Sequence, residues 1–151
     1  MEAKDRLRWD DQTRRVVILI VEDSPADAML MQMILNEIGF PLDIHLVEDG
    51  DEAIQFLYKE GKYGLAPRPD ALFLDIHLPK RSGLDVLQQM KCCPDLSSIP
   101  VYILTTSSSA ADKARSLELK ATRFITKPED LLGFQNILKH LVSEDFPRLR
   151  L

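Results

Sequence analysis

Apolar residues run almost unbroken at four places in the chain: Val16 to Val21, Ala71 to Leu74, Val101 to Leu104 and, less purely, Arg123 to Thr126. Short runs without polar alternation are the mark of strands buried on both faces, as in a parallel sheet covered by helices. Asp43 to Val47 reads as a further, shorter strand. Between these runs the period lengthens to that of a helix. Pro25 to about Ile38 carries Met29, Leu30, Met31, Met33, Ile34, Leu35 and Ile38 around most of its circumference, with Ser24 set to cap it and Gly39 to stop it. Helices are also predicted over about Asp51 to Glu60, from near Gly83 to before Pro94, over about Ala110 to Leu119, and after Glu129 and Asp130. Gly61 through Pro69 is a long connection before the third strand. Five strands alternating with five helices predict an α/β domain, a doubly wound five-stranded parallel sheet.

The strands end on polar groups, and that is where the pattern begins to suggest chemistry. The first runs into Glu22 and Asp23, the third into Asp75, the fourth into Thr105 and Thr106, and the fifth into Lys127 and Pro128. Parallel strands share a carboxyl-terminal edge, and open α/β sheets hold their ligands there. Three acids, a lysine and two hydroxyls are therefore expected in one crevice. Glu22, Asp23 and Asp75 cannot all stay ionised side by side without a compensating cation. Oxygen donors of this kind suit Mg²⁺, or Mn²⁺, held by one or two carboxylates together with a phosphate. A carboxylate is also a phosphoryl acceptor, with an ammonium and a hydroxyl available to the transferred group.

Composition narrows the class further. The 151 residues are 45% hydrophobic and carry a net charge of −5, which fits one globular domain without a basic face for nucleic acid. No run approaches the ~18 apolar residues of a membrane span, and the first fifteen residues, with four acids and five bases, are no secretory signal. Cys92 and Cys93 are adjacent, which gives neither a disulfide framework nor metal spacing, and cytoplasmic localisation is the default. Residues 1–15 are expected to be an extension with Trp9 its one large apolar group, residues 16–143 the domain, and 144–151 a tail.

Glu22-Asp23, Asp75 with Pro79 and Gly83 at plus four and plus eight, Thr105 at a strand end and Lys127-Pro128 resemble the receiver domain of two-component response regulators, over about Arg15 to Val142. The long connection Tyr58 to Asp70, with Leu78-Pro79-Lys80 and Leu104-Thr105-Thr106-Ser107, looks closest to the cyanobacterial phytochrome-associated regulators. The resemblance implies a flavodoxin-like (CheY-like) sheet of order 2-1-3-4-5, acting as a stand-alone receiver that assists only its own phosphorylation and dephosphorylation. It implies Asp75 as phospho-acceptor and Asp23 as a direct ligand of Mg²⁺ or Mn²⁺, with Glu22 holding a metal-bound water and the backbone carbonyl of His77 completing the set. Lys127 would then bind the phosphoryl group, Thr105 would be the switch hydroxyl and Phe124 the aromatic that turns inward, and the Lys127–Pro128 bond would be cis. The implied partner is a histidine kinase, of phytochrome type, docking near the first helix. Thr106 is bulkier than the residue many receivers carry there, and Lys120 stands where the family usually has glycine.

Other readings stay open on the residues alone. A pseudo-receiver adaptor would use this fold without phosphorylation, and a hydrolase would need His77 as general acid. The methionines of the first helix fit either burial on a sheet or an adaptable docking face. The last helix carries Leu131, Leu132, Phe134, Ile137, Leu138, Leu141 and Val142, with Phe146 beyond, over more than half its circumference. Phe134, Ile137, Leu141 and Phe146 are accordingly expected on a homodimer or effector surface.

Overall fold

The computed structural model describes residues 14–149, so the expectation for Trp9 lies outside the described residues. Five strands, β1 (Val16–Val21), β2 (Leu42–Val47), β3 (Ala71–Leu74), β4 (Val101–Thr105) and β5 (Arg123–Thr126), form one parallel sheet in the order β2-β1-β3-β4-β5. The helices are α1 (Pro25–Ile38), α2 (Gly50–Tyr58), α3 (Gly83–Lys91), α4 (Ala110–Glu118) and α5 (Leu131–Leu149). The predicted order and doubly wound class are both present.

Period two along the strands divides the core. Leu19, Val21, Leu72, Leu74, Val101 and Ile103 face α2 and α3, where Phe56, Leu57, Val86, Leu87 and Met90 cover them. The alternate residues Ile18, Ile20, Phe73, Tyr102 and Leu104 face α1 and α5, against Met31, Leu35, Phe134, Leu138 and Phe146. Both faces of β3 are dry, which is why its apolar run is unbroken.

Local signals set the helix ends. Ser24, Asp49, Ser82 and Ser109 each accept a hydrogen bond from the backbone N–H three residues on. Gly39 ends α1 at φ 84°. Lys59, at φ 57°, ends α2 two residues earlier than the sequence suggested. Lys120 adopts φ 61° where glycine would be unstrained, so the chain keeps the left-handed turn at a cost of ~1 kcal/mol.

Two expectations fail. The segment 144–149 is not tail but the last turns of α5. Phe146 draws the helix on, because its ring packs at 6.1 Å from Phe40 and Phe73 and 6.3 Å from Tyr102 with no exposure at all. Among the described residues there is no cis peptide bond, so Lys127–Pro128 is trans, the form favoured by ~0.5–1 kcal/mol for an X–Pro bond.

Candidate functional site

Register brings the strand tips level. Val21 pairs with Leu74, Leu74 with Ile103, and Thr105 with Thr126. Glu22, Asp23, Asp75 and Lys127 therefore emerge together at one edge. The connection after β3 then turns sharply, with the Gly83 N–H bonded to the Ile76 carbonyl at 2.8 Å. A Cβ on Gly83 would lie 2.0 Å from the Asp75 carbonyl oxygen, so only glycine lets α3 start this close to the strand end.

Glu22, Asp23 and Asp75 offer carboxylate oxygens all within 4.8 Å of one another. Lys127, whose side chain is 8% exposed, reaches across from β5. Its Nζ donates to Glu22 Oε1, to Asp27 Oδ2 at 3.0 Å and, at the 3.5 Å limit, to Asp75 Oδ2. The second oxygen of Glu22 accepts the Ser24 N–H at 3.1 Å. Asp75 Oδ1 accepts the His77 N–H at 3.3 Å. Asp23 stands at the exposed rim, lining a cleft with Ile76, His77, Leu78 and Asp112.

The electrostatics follow from three carboxylates sharing one ammonium, with the Asp23 carboxylate close by. Burial pushes the Glu22 carboxyl above its ordinary range, against the hydrogen bond from Lys127, and the charge of Asp75 pushes the same way. Burial pulls Lys127 down, but the Glu22 hydrogen bond and the charges of Glu22 and Asp75 outweigh it and hold the ammonium above its usual value. With Glu22, Asp23, Asp27 and Asp75 against Lys127, the crevice has room in its charge balance for a divalent cation. Hard oxygen donors at these spacings fit Mg²⁺ or Mn²⁺. Both Glu22 oxygens already have partners, which fits a role behind a metal-bound water better than direct ligation.

Of the residues predicted from sequence, Glu22, Asp23, Asp75 and Lys127 come together as expected. Thr105 is fully buried beside them, its Oγ1 accepting the Ser107 N–H at 3.2 Å. Thr106 points to solvent. Phe124 is half-buried against the α2/α3 face of the core. The His77 ring is 63% exposed and turned to Asp112, with Nε2 3.8 Å from Oδ2, so it does not face Asp75 as a general acid would.

The predicted interaction surface on α5 needs correction. Phe134, Leu141 and Phe146 are core residues, because α5 lies along the sheet through its whole length. Ile137 alone of the four is half-exposed, in a shallow groove with Phe124, Ile125 and His140. On α1, Met31 is buried on the sheet while Met29 and Met33 are more than half exposed, so the burial account holds for one face and the other face is open to solvent.

Sequence reasoning missed Asp27. An acid in the first turn of a helix is ordinary dipole chemistry. The only signal was its place one turn after Asp23, on the side of α1 that faces the crevice.

Comparison with known proteins agrees with this geometry. The family model for the response regulator receiver domain matches residues 18–139. The chain is 40% identical over 134 residues to the response regulator Rcp1 of Synechocystis sp., a match covering 89% of this chain and 91% of that protein. The crystal structure of the Mn²⁺-bound form of response regulator Rcp1 is similar with a TM-score of 0.82 at 38% identity, covering 85% of this chain and 93% of that one. The phosphorylated cyanobacterial phytochrome response regulator RcpA is similar with a TM-score of 0.82 at 38% identity, covering 85% and 92%.

Proposed function

The chain belongs to the response regulator receiver domain family, and on that premise we propose that it is a receiver switch of a two-component system, taking a phosphoryl group on Asp75 from a histidine kinase. The observation that carries this reading is the meeting of Lys127, from the far edge of the sheet, with Asp75, Glu22 and Asp23 in one half-closed crevice.

In the reaction an Asp75 Oδ forms a bond to phosphorus as the P–N bond to the kinase histidine breaks, and the electron pair leaves with the imidazole. Lys127 moves its ammonium onto a phosphoryl oxygen, and Thr105 turns its hydroxyl toward another. Asp23, Asp75 and the His77 carbonyl would hold the divalent ion, with Glu22 behind a water. The bound Mg²⁺ or Mn²⁺ supplies charge neutralisation for the phosphoryl group. Inward movement of Thr105 alters the Ser107 N–H contact at the head of α4, which biases the surface of α4, β5 and α5. Leu117, Leu131 and Leu132, with half-buried Phe124, Ile125 and Ile137, are apolar residues that these elements offer to an effector or a second copy.

The likeness to Rcp1 and to the phytochrome response regulator RcpA supports a phytochrome-type kinase as the donor. Met29 and Met33, exposed beside the acids, supply an adaptable face for its helices. Among the described residues no helix is long and apolar enough to cross a membrane, and a cytoplasmic site of action accords with a cytosolic kinase domain. The test is phosphotransfer from a panel of autophosphorylated histidine kinases. Wild type should drain label from one of them within minutes while Asp75→Asn does not, and transfer to Asp75→Asn would sink the assignment.

A further inference from the structure

Lys127 has three N–H donors and three carboxylate partners, so its ammonium is fully engaged in the structure. The partners are not equivalent. Glu22 is 3% exposed and fixed by the Ser24 N–H on its other oxygen. Asp75 lies farther from Nζ, at 3.5 Å, than Asp27 does, at 3.0 Å. The Asp27 carboxylate is 40% exposed and sits in the first turn of α1, where water and the helix dipole both stabilise it when it is released.

We propose that Asp27 is a brake on phosphoryl transfer: it holds Lys127 on the β1–α1 side of the crevice, and Lys127 must leave it to reach a phosphoryl group on Asp75. The inference rests on the phospho-acceptor reading above. Asp27 touches neither phosphate nor metal in this scheme, and it acts as a positioning residue through Lys127. Its effect therefore sets how readily the protein charges, independently of which kinase supplies the phosphate. Its backbone N–H is bonded to Ser24 Oγ at 3.3 Å, so an amide in place of the carboxylate leaves the helix cap intact.

The experiment measures the rate of acid-labile phosphate incorporation from acetyl phosphate at saturating Mg²⁺. Wild type, Asp27→Asn, Asp27→Glu, Lys127→Ala and the Asp27→Asn/Lys127→Ala double variant are compared, each with its thermal midpoint. Asp27→Asn is expected to charge about three- to tenfold faster than wild type, which lies in the lower part of the range of coupling between groups in direct contact. Asp27→Glu should restore the slow rate, and the gain should vanish when Lys127 is absent. A gain that persists without Lys127 would mean that Asp27 merely repels the incoming phosphate, and it would overturn the proposal. So would an unchanged or slower Asp27→Asn. Phosphate on Asp27→Asn with none on wild type supports the brake, whereas no phosphate on either removes the phospho-acceptor reading and the brake together.

Discussion

At the amino-terminal end of the sheet, acids and bases are matched. Asp70 takes both terminal nitrogens of the Arg14 guanidinium at 2.6 and 2.8 Å and the Val17 N–H at 2.7 Å. Asp145, from α5, accepts the Tyr102 hydroxyl at 3.0 Å and two Arg123 nitrogens at 3.2 Å. At the carboxyl-terminal end, Glu22, Asp27 and Asp75 share a single lysine, and Asp23 stands beside them without that partner. The same sheet thus carries matched charge at one end, where it fixes β4, β5 and α5 in place, and an excess of negative charge at the other, where the proposed function puts a cation and a phosphoryl group. The contrast separates stability from function along one axis of the molecule.

The sharpest way to break that contrast is Asp75→Asn. Phosphate incorporation should fall at least ~100-fold, while stability in urea rises by about 1 kcal/mol as like-charge repulsion is relieved; a loss of stability would mean that the crevice is balanced after all. Gly83→Ala tests the packing that lets the crevice form. Its Cβ would meet the Asp75 carbonyl, and the expected cost is ~3 kcal/mol in a denaturant titration.

At the other end Asp145→Asn should cost about 1–2 kcal/mol at neutral pH, with Arg123 discounted for its exposure, and should leave phosphorylation within twofold. Hydrogen bonds from Arg123 hold the Asp145 carboxyl below its ordinary value although burial opposes them. A carboxyl lowered on folding contributes fully above the unfolded value near ~4 and loses its contribution as pH falls through the folded value. The wild-type and Asp145→Asn stability curves should accordingly converge in acid and stay apart above about pH 5. Arg14→Ala should have the smallest effect, ~0.5 kcal/mol and diminished by salt, because nearly half of the Arg14 side chain is in water.

The sequence was legible where one physical cause dominated. Double burial makes β1, β3 and β4 apolar runs, and the polar residue after each run marks the ligand edge. Glu22, Asp23, Asp75 and Lys127 could thus be placed in one crevice before any coordinates. The extent of α5 was not legible: residues 144–151 were expected as a tail, and no local signal carries the helix through Pro147. The decisive term there is tertiary, the cluster of Phe40, Phe73 and Tyr102 that takes the Phe146 ring. For the same reason Phe134 and Leu141, excess on a helical wheel, proved to be core under a long helix. Asp27 was hidden because its local role as a first-turn acid already explained it.

The central claim is that Asp23, Asp75 and Lys127 form one site for a divalent cation and a phosphoryl group. Crystals grown with Mn²⁺ and beryllofluoride test it directly, through the anomalous signal of manganese. The account predicts one strong peak between Asp23, Asp75 and the His77 carbonyl, with the fluoride adduct on Asp75 and Lys127 Nζ drawn off Asp27 onto a fluorine. Manganese bound elsewhere, or an adduct-free Asp75 with Lys127 unmoved, would contradict it.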